Sequence, residues 1–444
     1  MLMLHARAAL LGVAATLAVL PSIAAGQTDH TGHVMPPPMQ MSRISLGGGW
    51  YLTGMAQAFP VVTVGAPGGE DGEPLRRTGW YVTQPAIMTN AESSSRRFVL
   101  RTTLNFEGLT QEEGELTFGG WGEGYIDKRH PHTLLHELML SVNFYEVAGG
   151  DLSFSAGKGF APYGTSDPMA RPGLKYPTNH HLSQILERWT ANAAWLRGRW
   201  SLEAGVFGGQ EPEGPYDFSN IESFGDSWSV RLARRFGPGA GPSAAWEAST
   251  SFASLSEYAH TVEETTRLVN VALRRSAPLG EAQLYALVEG SVSLLEDHRN
   301  FFSALAEARY QRGRHQPYLR LEYARRPEYL REGPADGDDF FRYDHDEDPV
   351  GTTRWLISTA AYAYELTGRP WSLRPFVEVQ HHQVRGDQGG VVATDLFGTT
   401  NFWAVSIGAR LFMGGDPMRM GSYGVLDPMT EMSRGMNAMP MGPQ

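Results

Sequence analysis

The densest group of side chains able to do chemistry runs Asp127-Lys128-Arg129-His130-Pro131-His132 and continues to His136 and Glu137. Two imidazoles around a proline, with a third imidazole and a carboxylate close by, offer ligands of the kind that bind Zn²⁺ or Cu²⁺. Their spacing fits no standard zinc pattern, and the same groups could instead hydrogen-bond a folded-in loop to a wall. His180 and His181 fall in the next long connection and Arg188 opens the strand beyond it. Two loops turned inward would bring all of these groups together.

A second kind of ligand is concentrated near the chain ends. His30, His33, Met35, Met39 and Met41 come early, and Met418, Met420, Met429, Met432, Met436, Met439 and Met441 come late, so ten of the 17 methionines sit in short Pro/Gly-containing tails. Thioether sulfur is a soft ligand for Cu(I), and imidazole extends the set to Cu(II). Methionine in a polar tail can equally be compositional drift. The segment 336–348 gathers Asp336, Asp338, Asp339, Asp344, His345, Asp346, Glu347 and Asp348. It lacks the turn glycine and closing glutamate of a calcium loop and reads as a solvated loop.

Nucleophile signatures are missing from the sequence: no Gly-x-Ser-x-Gly elbow, no His-Glu-x-x-His and no phosphate loop. His381 has the parity to face outward beside Val377 and Val379, but no serine partner is apparent. The expectation is a protein that is not an enzyme. A barrel hydrolase is kept as the third alternative.

These residues must be positioned by something, and the chain supplies strands. His5, Arg7, the apolar run Ala8 to Leu20 and the small residues Ser22 to Ala25 read as a signal peptide over 1–25. The apolar run is about 13 residues against the roughly 20 that a spanning helix needs. From residue 44 onward the apolar period is two. Trp200, Leu202, Ala204 and Val206 alternate with Ser201, Glu203 and Gly205; Leu319, Leu321 and Tyr323 alternate with Tyr318, Arg320 and Glu322. Trp403, Val405, Ile407 and Leu411 alternate with Ser406, Gly408 and Arg410 in the same way.

The pattern predicts sixteen strands, near 50–64, 80–90, 96–107, 134–146, 150–159, 184–196, 199–208, 226–236, 244–255, 264–275, 281–292, 300–312, 315–325, 352–366, 372–385 and 400–413, with 14 or 18 as alternatives. Long connections alternate with short ones, as in outer-membrane barrels with tight periplasmic turns and longer outer loops. A soluble sandwich with these strands would bury charge or expose a large apolar patch. A membrane barrel gives the apolar face to lipid and the charged face to a wet interior.

Composition narrows the classes further. Without cysteine there is no disulfide framework and no thiolate chemistry. The net charge of −11, with no lysine block, excludes a nucleic-acid partner. A mean hydropathy of −0.30 is what alternation produces in a barrel wall.

Three resemblances follow from these residues. Asp127 to Glu137, the strand Trp200-Ser201-Leu202-Glu203-Ala204, the loop Gly209-Gln210-Glu211-Pro212 and Asp226-Ser227-Trp228-Ser229 look similar to uncharacterised envelope barrels that carry an HPH motif. The Met/His tails are loosely similar to those of copper-resistance outer-membrane proteins, which implies Cu(I) or Cu(II) handling. Gly408-Ala409-Arg410-Leu411-Phe412 resembles the aromatic-ended last strand that the barrel assembly machinery reads, although about thirty residues follow it here.

The combined expectation is an all-β, antiparallel, up-and-down transmembrane barrel over 44–413, in the bacterial outer membrane. A periplasmic tail of 26–43 would precede it and a Met-rich periplasmic tail of 414–444 would follow. The expected function is porin-like passage of a small solute or ion, with copper handling through the tails as the alternative. Lumen parity falls to Arg101, Arg231, Glu307, Arg309, Arg320, Glu322, Arg374, Glu378 and Arg410, of both signs. Expected partners are outer-membrane lipid and lipopolysaccharide, the assembly machinery, and further copies in an oligomer.

Overall fold

The computed structural model describes residues 43–66, 77–110, 115–117, 125–126, 133–165, 171–174, 177–178, 180–210, 212, 216–217, 221, 223–238, 245–259, 262–295, 300–328, 351–368, 371–414 and 420–430. The expected signal peptide and all but Arg43 of the expected N-terminal tail lie outside them.

Sixteen strands form the wall: β1 Trp50–Gly65, β2 Arg77–Ser93, β3 Phe98–Asn105, β4 Leu135–Val147, β5 Gly150–Gly159, β6 Arg188–Arg197, β7 Trp200–Gly208, β8 Phe224–Phe236, β9 Trp246–Ala259, β10 Val262–Leu279, β11 Ala282–Leu294, β12 Asn300–Arg312, β13 His315–Glu328, β14 Gly351–Tyr364, β15 Trp371–Gln388 and β16 Asn401–Met413. Each pairs antiparallel with its sequence neighbours. Ring closure comes from β16 on β1, with Met413 opposite Ala56 and Ala404 opposite Gly65. The expected barrel is therefore present, with neither 14 nor 18 wall strands. The short strand Arg43–Gly47 folds back along β1, and Leu366–Thr367 pairs with the start of β15, so neither adds to the wall.

Tight turns close one rim. Gly198-Arg199, Gly280-Glu281 and Gly313-Arg314 join β6 to β7, β10 to β11 and β12 to β13. Gly280 and Gly313 have φ of +61° and +58°, the first-position requirement of a type II′ hairpin, which a side chain would strain. Longer connections occupy the other rim, among them 106–134, 160–187, 209–223 and 329–350. The exception is β9 to β10, joined through 260–261. The strands there outrun the expected loop 256–263 because Val262 to Thr266 keep pairing with β9.

Alternation resolves into two faces. Leu319 is 65% exposed on the outside, whereas its neighbour Arg320 is 3% exposed on the inside. Outward Trp80, Trp228, Phe302, Tyr323 and Trp403 lie toward the long-loop rim; Phe144, Trp200, Trp246, Tyr310, Tyr362 and Trp371 lie toward the tight-turn rim. Two aromatic belts separated by an aliphatic band match the two interfaces of a bilayer. Leu321 sits mid-strand on this band. Leu321→Arg is expected to cost about 2–4 kcal/mol of folding stability in bilayers, measured by urea titration in vesicles, while the same change nearer a rim costs less.

Candidate functional site

The interior is crossed by two segments that do not belong to the wall. The first is the connection 160–187 between β5 and β6, whose described residues are buried almost throughout. It leaves one side of the ring and is fastened on the other. The Gly164 amide donates to Ser251 Oγ of β9 at 2.9 Å, and the Gly164 carbonyl accepts from Arg231 of β8 at 3.2 Å. Thr165 Oγ1 donates to Glu289 of β11 at 2.9 Å. Further along, the Thr178 amide donates to Glu322 of β13 at 2.6 Å and the Leu174 amide to Glu378 of β15 at 3.0 Å. Arg410 of β16 donates to the carbonyls of Pro172 at 2.8 Å and Arg171 at 3.1 Å.

Arg171 is the anchor of this crossing. Its guanidinium meets Glu289 at 3.0 Å and Glu307 at 3.8 Å. Burial opposes its charge, but the two carboxylates outweigh burial and raise its pKa above the usual arginine value. Gly173 allows the close approach: a Cβ there would stand 2.7 Å from the Tyr318 hydroxyl.

The second segment is 420–430, which the sequence analysis assigned to a periplasmic tail. It instead runs back among inward-facing side chains of β3 to β8. Asp427 takes a hydrogen bond from Arg101 at 2.9 Å, Tyr423 donates to Glu137 at 2.8 Å, and Arg231 reaches the Gly421 carbonyl at 3.0 Å and Ser422 Oγ at 2.8 Å. The Val425 amide donates to Ser153 of β5 at 3.2 Å. Val425 and Leu426 pack with Ala194, Tyr145 and Leu196. The apolar and charged contacts act together: Arg101 is paired with Glu137 and Arg231 with Glu203 in the wall, and the segment adds Asp427, Tyr423 and Ser422 as further partners. Burial, aided by Glu137, holds the Tyr423 phenol well above its ordinary pKa, so it stays a neutral donor.

Met420, expected as a soft-metal ligand, is packed with Met55, Ala86, Met88 and Phe160. Its thioether fills apolar space beneath the loop root, as methionine commonly does. Met429 is also buried. His30, His33, Met35, Met39, Met41, Met418, Met432, Met436, Met439 and Met441 lie outside the described residues, as do Asp127, Arg129, His130, His132 and the side chain of His181. Of the HPH neighbourhood, His136 and Glu137 are visible and point to different partners. His136 Nδ1 lies 3.1 Å from Glu187, which also accepts from the Thr133 amide at 2.7 Å. Thus the roots of the two loops meet at Glu187. His180 Nδ1 is 3.0 Å from the Pro177 carbonyl, within its own loop. Among the described residues no group of three or more histidines and carboxylates could hold a metal ion.

The remaining lumen candidates fall into two sets. Arg231 forks onto Glu203 through two 2.8 Å contacts, and Arg320 pairs with Glu322 at 2.8 Å; Arg188 donates to the Gln210 carbonyl at 3.4 Å. The other set gathers beyond the loop: Arg309, Arg374 and Arg410 line one cavity with Glu378, Tyr318 and the loop residues Pro172 and Leu174. Its volume of about 20 Å³ is room for a single water. Arg410 is held over Phe59 at 4.5 Å and near Phe412 at 5.6 Å, so its cation is fixed in place. Arg374 pairs with Glu365 at 3.1 Å in the turn before β15. Burial alone would raise the Glu365 carboxyl, but Arg374, Thr367 and Ser372 hold it below the ordinary carboxylate value.

No protein-family model and no curated protein sequence matches the chain. Solved structures do. The anion-selective porin from Comamonas acidovorans is similar at a TM-score of 0.47 and 11% identity, covering 82% of this chain and 100% of that one. OmpT, an outer membrane protein of Vibrio cholerae in its trimer form, gives 0.47 and 11% over 82% of this chain and 99% of that one. The outer membrane channel DcaP of Acinetobacter baumannii gives 0.47 and 7% over 83% and 99%.

Sequence reasoning missed Tyr423, Asp427 and Arg171, which lie in segments without strand periodicity. It also missed Ser358, which stands opposite His381 in register on the outer face. No hydrogen bond joins that pair; the His381 ring leans on Trp403 at 4.3 Å.

Proposed function

We propose that this protein is a porin-like channel of the bacterial outer membrane, carrying small solutes past a constriction made by loop 160–187 and narrowed from the tight-turn side by residues 420–430. The observation that supports it is the interior itself. A closed wall with an apolar outside holds arginine and glutamate side chains inside, an arrangement that makes sense when water reaches them.

The narrow point between Pro172, Leu174 and the wall carries the guanidiniums of Arg309, Arg374 and Arg410 with the carboxylate of Glu378, and Arg374 also pairs with Glu365. Fixed positive charge at a constriction lowers the barrier for anions and raises it for cations. Small anions are therefore the preferred cargo class. Arg309→Glu is expected to move the anion-to-cation permeability ratio toward cations about tenfold, read as the reversal potential under a KCl gradient in planar bilayers. An unchanged reversal potential would remove the anion reading and leave the channel itself standing. A full-length chain that inserts into bilayers and carries no current would remove the channel reading.

A further inference from the structure

The ladder register places three arginines of one sign side by side on the outer face. Arg325 of β13 stands opposite Arg354 of β14, and Arg354 stands opposite Arg385 of β15. All three share the parity of the lipid-facing Leu319, Leu321 and Tyr323 on β13, Ser358 on β14 and Val377 on β15. Like charges directly opposed across strands destabilise a sheet. One acidic group answers them. Asp387 lies 2.6 Å from Arg325 Nε and also pairs with Arg354 Nη2. Arg325 is otherwise occupied by the Asn300 carbonyl at 2.9 Å and by Gln388. Arg354 Nε has no hydrogen-bond partner, and Arg385 is exposed with no ion pair or hydrogen bond among the described residues.

The height of this row on the wall decides what it can meet. The next outward row toward the strand centres is Tyr323, Leu356 and Gln383, with Phe302 packed on Tyr323 at 5.7 Å. Arginine facing hydrocarbon at mid-bilayer costs about 2–4 kcal/mol, and near the interface about 0–1 kcal/mol. A row of three, one step beyond aromatic residues on the long-loop rim, thus belongs at headgroup level. Guanidiniums match phosphate oxygens bidentately, and two positive charges remain after Asp387 is counted.

We infer that Arg354, which Asp387 ties to Arg325, and the neighbouring Arg385 form a binding site for the phosphate of a phosphorylated saccharide lipid in the outer leaflet, the lipid A moiety of lipopolysaccharide. The inference rests on the membrane placement proposed above but not on conduction. It is tested with the full chain folded in detergent, where binding is measured without any current. The ligands are bisphosphorylated lipid A, dephosphorylated lipid A and inorganic phosphate. Native mass spectrometry is expected to show bisphosphorylated lipid A retained by the wild type and the dephosphorylated form lost. Arg385→Gln is expected to weaken retention about tenfold, and Arg354→Gln with Arg385→Gln further. Arg275→Gln, which removes an outward arginine stacked on Trp246 at the opposite rim, is expected to leave retention unchanged. Should the double variant fail to fold, Arg385→Gln alone decides, because it removes no pair. Equal binding by Arg385→Gln, equal binding of dephosphorylated lipid, or an equal loss in Arg275→Gln overturns the site. Full displacement of the lipid by millimolar inorganic phosphate overturns its assignment to a lipid.

Discussion

Ending the chain at Gly414 is expected to raise single-channel conductance about threefold or more, because the segment it removes fills lumen volume and contributes nothing to closure of the wall. β16 ends at Met413 and is already paired with β1 and β15. The truncated barrel therefore keeps its hairpins and its seam. What it loses is the partner set of Arg101, Glu137 and Arg231, which water can replace in an opened lumen. The truncation should keep the heat-resistant migration of a folded barrel while conducting more. Equal conductance with and without the segment would show that solutes pass elsewhere. A milder version, Asp427→Asn, breaks the 2.9 Å pair with Arg101 and is expected to give flickering between the two levels.

The second large effect is expected from Glu289→Ala. This carboxylate receives Arg171 at 3.0 Å, Thr165 at 2.9 Å and Asn270 at 2.8 Å, so one substitution cuts the seat of the crossing loop at its centre. Removing one member of a buried ion pair strands the other, at about 3–5 kcal/mol. That is roughly two orders of magnitude or more in the ratio of seated to released loop. Proteolysis within 160–187 should become rapid while the wall strands stay protected, and current noise should grow. Pairing Glu289→Leu with Arg171→Met removes both charges and is expected to restore much of the protection, since well-packed apolar groups often replace such a pair at little cost. If Glu289→Ala leaves cleavage rates at the wild-type level, Arg171 does not hold the loop.

Both effects concern the filling of the barrel, and the filling is where sequence and structure part. The wall was legible strand by strand, with ends shifted by up to four residues, as in Arg188–Arg197 against the expected 184–196. Strand β5 lies at 150–159 and β12 at 300–312 as read, because the two-residue period of Phe154, Ala156 or Phe302, Ala304 is a local property set by the pleat. The parity of Arg101, Arg231, Arg320 and Arg410 followed from the same period, and all four are buried on the inner face. A strand cannot turn one of its residues without turning all of them.

What occupies the inside has no such local trace. Asp427 finds Arg101 across 326 positions of sequence, and the Pro172 carbonyl finds Arg410 across 238. Residues 420–430 mix Gly, Pro and Met with a few apolar and polar residues and show no strand period, a composition that suits a tail as well as a stopper. Only the closed wall, which brings Arg101, Glu137, Ser153 and Arg231 around one volume, makes burial of that segment favourable. The three outward arginines follow the same rule: each is an ordinary strand-end residue in its own strand. They become a cluster through the shear of the ring, which sets Arg325, Arg354 and Arg385 in one row. Sequence by itself determined which face of each strand is oily and which is charged, since that depends on neighbours two positions away. The tertiary structure decided which charges meet, since that depends on register and closure around the whole ring.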